Sequence, residues 1–123
     1  MSEKQETLVT ENLQLLQLIY QTLDEKKAED ITILDIHELT CIADFFVITN
    51  GSNINQVHAL SDYLVKKMAE LGKHERQIEG YQGANWILLD YGDIIIHIFD
   101  QESRGFYDLE HIWNDAKKID LSK

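Results

Sequence analysis

The chain contains no proline, a single cysteine, six glycines and no long apolar run. Without proline, its turns must be made by Gly, Asn, Asp and Ser. Cys41 alone can form no intrachain disulfide, which fits a reducing cytoplasm and an inert thiol. No apolar segment approaches the roughly 20 residues that a membrane-spanning helix needs. The opening "MSEKQETLVT" has no basic stretch leading into an apolar one, so no signal peptide is expected, and it is too acidic for an organellar transit peptide. Basic residues are scarce as well: 11 Lys and Arg stand against 22 Asp and Glu, a formal net charge of −11. Such a chain is repelled by phosphate backbones, which argues against charge-driven nucleic-acid binding. The charge suits either solubility or encounter with a basic protein, ribosomal proteins and histones among them.

What is present reads as one α/β domain over residues 1–123, with frayed tails at about 1–5 and 117–123. Leu8, Leu15, Leu16, Ile19 and Leu23 recur at three- and four-residue spacing and predict an amphipathic helix over about 6–28. "ITILDI" and "DFFVIT" are β-branched and aromatic, and predict two strands. After "NGSN", the stripe Val57, Leu60, Leu64, Met68 and Leu71 predicts a second helix, stopped by Gly72. A short strand near Arg76 to Glu79, whose path is open, precedes a β-hairpin. A third helical pattern over Tyr107 to Ala116 closes the order α-β-β-α-β-β-β-α, a mixed sheet with helices mainly on one face.

The hairpin is "NWILLDYGDIIIHIF". A two-residue turn at Tyr91-Gly92 pairs Asp90 with Asp93 and Trp86 with His97. Alternation then puts Ile87, Leu89, Ile94, Ile96 and Ile98 on one face, which must lie under the helices. The other face carries Trp86, Leu88, Asp90, Asp93, Ile95, His97 and Phe99, an aromatic and aliphatic centre with charges at the turn end. Three arrangements are open for it. A further layer of the domain covers it and makes Trp86 core, it stays an exposed sheet with scattered apolar residues, or it is an interface with aromatic anchors.

None of the five histidines has H-E-x-x-H or Cys/His ligand spacing, so no metal site is expected; His97 is better explained as a cross-strand neighbour of Trp86. "TNGSN" joins a strand to a helix, where backbone N–H groups can cradle an anion, although Ser52 or Asn53 is also a good helix cap. The same turn is similar to the opening of nucleotidyltransferase sites, which need two alternating carboxylates for metal ions. No D-x-D occurs here. The alternative to a binding module is therefore a nucleotidyltransferase-type enzyme or nucleotide binder using Ser52, Asp90 and Asp93.

Taken together, "ADFFVITNGSNINQVHAL", "EGYQGANWILLDYGDIIIHIF" and "SRGFYDLEHIWNDA" resemble the ribosomal silencing factor (RsfS, Iojap or YbeB) family, from about Leu8 to Ala116. The resemblance implies a nucleotidyltransferase-like fold without catalytic carboxylates, no enzymatic activity and no cofactor. It implies a cytoplasmic translational repressor that binds a basic large-subunit ribosomal protein, number fourteen, and sterically blocks subunit joining. Neither a membrane nor direct nucleic-acid binding is implied, and a homodimer on the same face is the competing arrangement. Trp86 matches the tryptophan of the family's interaction surface. Hairpin geometry extends that surface to Leu88, Asp90, Asp93, Ile95, His97 and Phe99, and the following segment adds Arg104 and Tyr107. Family members often carry a proline before the "EG" pair, where "GKHERQIEG" has none.

Overall fold

Apolar residues three and four apart give each of two long helices a single stripe, and those stripes set the first layer of the fold. The computed structural model describes residues 3–121, with side chains from Glu11 onward. Helix α1 (Glu3–Glu25) buries Leu16, Ile19 and Leu23; Leu8 of the predicted stripe lies outside the described side chains. Helix α2 (Ile54–Glu70) buries Val57, Leu60, Leu64 and Met68. Leu71, expected in the same stripe, is 55% exposed because the helix has already ended at Glu70. There the Gly72 N–H donates to the Ala69 carbonyl and the Lys73 N–H to the Met68 carbonyl. This Schellman end needs a left-handed residue, and Gly72 supplies it with φ 75°. At the other end Asn53 caps the helix by accepting from the Gln56 N–H.

Strands β1 (Glu29–Asp35), β2 (Phe45–Gly51), β3 (Gln77–Glu79), β4 (Trp86–Asp90), β5 (Ile94–Asp100) and β6 (Lys117–Ile119) form one six-stranded sheet ordered β3-β4-β5-β2-β1-β6. Only the central pair β2–β5 is parallel, so the sheet is mixed. All of β2 is buried, as expected for a strand covered on both faces. Helices α1 and α2 pack over Ile33, Phe45, Val47, Ile87, Leu89, Ile94, Ile96 and Ile98. A second core, Leu34, Ile36, Phe46, Ile48, Ile95 and Phe99, lies on the opposite face under Leu109, Trp113 and Ala116.

The C-terminal stretch departs from its predicted single helix. It forms α3 (Gln101–Tyr107) and α4 (Leu109–Ile112), separated at Asp108, whose φ of 49° is incompatible with continuing the helix. The break lets the chain double back: Trp113 meets Phe46 with ring centroids 5.3 Å apart, and β6 pairs with β1. The stretch 117–123, expected to fray, thus contains an edge strand, Lys117–Ile119.

The hairpin register also differs from the predicted one. Trp86 pairs with Phe99 and Asp90 with Ile95, so four residues intervene rather than two. Asp90 and Asp93 are therefore not opposed. The Asp90 carboxylate accepts from the Gly92 N–H, while the Asp93 carbonyl accepts from the N–H groups of Asp44 and Phe45 at the start of β2. That tie to a distant strand fixes the loop, and no local pattern announces it. Because the slip is two residues, the strand side chains keep their predicted faces, whereas Asp93, now in the loop, leaves the Trp86 face. The strand of open path is β3, antiparallel to β4, with Gln77 opposite Asp90.

Candidate partner-binding surface

Strand β4 presents Trp86 and Leu88 on the face away from α1 and α2, and both are only partly buried. Trp86 lies over Phe99 (centroids 5.0 Å, planes inclined by 29°) and against Tyr107 of α3 (4.8 Å). Phe106 stands edge-on to Tyr107 at 5.1 Å. The rings grade from a buried base to a solvent-facing rim: Phe99 is fully buried, Tyr107 is 44% exposed and Phe106 79%. The face is thus neither wholly covered nor wholly exposed. The C-terminal segment covers the β1–β2 half, and the β4 half next to α3 stays open.

The predicted interface residues divide accordingly. Trp86, Leu88 and Tyr107 reach the surface together. Ile95, His97 and Phe99 are on the predicted face but buried, so they support the surface without forming it. Asp90 belongs to the loop, and Asp93 turns to the helical side, lining clefts with Asn12, Leu15 and Lys73. Arg104 is engaged internally. Its guanidinium donates to both Glu110 carboxylate oxygens (3.1 Å each), the Asn50 side-chain oxygen (2.8 Å), the Glu29 carbonyl and the Thr32 hydroxyl. It thereby pins α3 across the ends of β1 and β2. Beside it opens an acidic cleft of about 670 Å³ that includes Glu29, Asp30, Asp108 and Glu110. Phe106 and Ile112, strongly exposed, were missed. The adjacent "GFY" aromatics were the one available signal, because an exposed face of a short helix has no distinctive period.

Hydrogen bonding fixes the tautomer of His97. Trp86 Nε1–H can only donate, and it lies 3.0 Å from His97 Nδ1. The neutral imidazole therefore carries its proton on Nε2, which finds no acceptor among the described residues. Burial lowers its pKa from 6.5 to about 4. Phe46 stands edge-on to the ring at 4.6 Å.

The strand-to-helix turn is closed from within. The Ser52 backbone N–H and hydroxyl both donate to Gln56 Oε1 at 2.6 Å, and the Gln56 amide donates to the carbonyls of Lys26 and Lys27. Both donors of Ser52 are thus already used. Ser52 follows the C-terminal end of β2, whereas Asp90 and Asp93 lie by the N-terminal end of the parallel β5. A strand of that length separates them by about 20 Å. The constellation required by the nucleotidyltransferase-type alternative is not assembled. Among the described residues, no group of three or more His, Cys, Asp or Glu is placed to hold a metal ion.

Fold and surface define a class: a mixed-sheet α/β domain with no D-x-D carboxylate pair, open along one aromatic edge. Within it the chain belongs to the family described as "Ribosomal silencing factor during starvation", which matches residues 9–123. It is 40% identical over 110 residues to the ribosomal silencing factor RsfS of Halalkalibacterium halodurans, covering 89% of this chain and 94% of that protein. The Bacillus subtilis protein of the same name is 36% identical over 107 residues, covering 87% and 91%. A crystal structure from Bacillus halodurans superposes with a TM-score of 0.78 at 35% identity, covering 88% of this chain and 98% of that one.

Proposed function

We propose that this protein is a translational repressor that docks on a basic protein of the large ribosomal subunit, number fourteen, and blocks joining of the small subunit by occupying its place. The observation that carries this reading is the open aromatic edge formed by Trp86, Leu88, Phe106 and Tyr107. Central aromatic anchors with a polar rim are the usual composition of a protein interface. Family membership supports a ribosomal site of action, and a net charge of −11 favours a basic partner. The role needs no catalysis or cofactor, and its setting is the cytoplasm; no helix of the described residues is long and apolar enough to cross a membrane. A second copy of the chain on the same aromatic edge would compete with the ribosomal partner.

Sucrose-gradient sedimentation with isolated subunits, combined with light scattering of subunit joining, tests the proposal. The expected result is co-sedimentation with the large subunit alone and a dose-dependent loss of joined ribosomes. Binding to the small subunit, or binding that leaves joining intact, would overturn it.

A further inference from the structure

His97 is a costly residue where it stands. It is 4% exposed, and its Nε2 has no hydrogen-bond partner among the described residues. A buried, unpaired N–H destabilises a fold, whereas a leucine of similar size would incur no such penalty. Trp86 is itself only partly buried, so satisfying its indole N–H is the smaller part of what the imidazole does. What the imidazole does that water cannot is fix a direction. Its Nδ1 lies 3.0 Å from the indole nitrogen, on a ring held by Phe46 at 4.6 Å and embedded in the sheet. Stacking on Phe99 and the tilted contact with Tyr107 limit the plane of the indole but leave it free to slide or flip in that plane; the hydrogen bond removes that freedom.

We propose that His97 is the positioning residue of the docking surface: through Nδ1 it locks the Trp86 indole in the one orientation that the partner recognises. The inference rests on the function proposed above. Immobilising a rotamer-rich side chain at an interface costs about 0.5–1.5 kcal/mol, and an anchor ordered in advance avoids that cost. Converted, this is about a two- to twelvefold difference in affinity.

The experiment compares wild type, His97→Leu and His97→Asn as full chains; asparagine places an acceptor near the position of Nδ1. Readouts are the thermal midpoint, the Trp86 indole N–H resonance and its nanosecond mobility by NMR, and affinity for isolated large subunits. The two indoles are told apart with Trp113→Phe. The expected result for His97→Leu is an unchanged or raised midpoint, a shifted and mobile indole resonance, and affinity about two- to twelvefold weaker. His97→Asn should recover both the resonance and the affinity. An indole that stays rigid in His97→Leu, or one that becomes mobile with no loss of affinity, would overturn the proposal. So would a mobile, freely exchanging Trp86 indole in the wild type, a result that needs no variant to fold. If wild type fails to bind large subunits, the proposed function fails; the indole measurements still decide whether His97 orients Trp86.

Discussion

At the scale of single residues, Trp86 and His97 separate binding from folding. Trp86 is only partly buried, so Trp86→Ala should lose less than the roughly 3–5 kcal/mol of a core tryptophan. As a central anchor it should lose at least about 2 kcal/mol of binding, or roughly thirty-fold. Thermal melts alongside large-subunit titrations check this, and a collapse in stability with binding lost only in proportion would make Trp86 core. His97 carries the pH dependence. Its pKa falls from 6.5 unfolded to about 4 folded, so between those values the unfolded chain binds the extra proton. This contribution is complete above about pH 6.5 and is lost as pH falls towards 4, a change of up to about 3 kcal/mol. Urea unfolding at pH 7, 5 and 4 should show a steeper loss for wild type than for His97→Leu. Parallel curves would mean that His97 does not titrate in this window. The Trp86–His97 neighbourhood was legible from alternation alone, even with the register misread, because a two-residue slip leaves the pair diagonal across the strands. The burial of His97 and Phe99 was not legible, since it depends on α3 and Phe46.

At the scale of elements, the loop from Gly80 to Asn85 sets where β4 begins. A Cβ on Gly80 would come within 2.1 Å of the Trp86 carbonyl oxygen, and its φ is 77°. Gly72 has a similar φ of 75° but open space around it. Gly72→Ala should therefore cost only the left-handed penalty of about 1–2 kcal/mol. Gly80→Ala should cost clearly more, because the backbone must also move. Urea midpoints of the two variants test this, and equal losses would show that the loop relaxes freely. Helix α2 was readable to within a residue of its end, since spacing, cap and stop agree there. The C-terminal half was not: "YDLEHIW" keeps a helical rhythm through Asp108, and β6 is too short to carry a pattern. Pairing with β1, not propensity, makes it a strand.

At the scale of the whole molecule, a net charge of −11 should steer the protein toward a basic partner. Association with large subunits should then slow as salt rises, because the screening length falls from about 10 Å at 0.1 M to about 3 Å at 1 M. Stopped-flow rates that ignore salt would reduce the charge to a solubility device. The α/β class and the aliphatic face of the hairpin followed from sequence alone, because a strand's side chains alternate strictly and a helix's apolar stripe must be covered. The tertiary structure decided the rest. The Asp93 carbonyl, tied to β2, chose a four-residue loop over a two-residue turn. The chain's return through Trp113 to β6 closed one half of the second face. Its anchoring by Arg104 left the other half open. Each is a contact between residues far apart in the chain, so no local spacing encodes it.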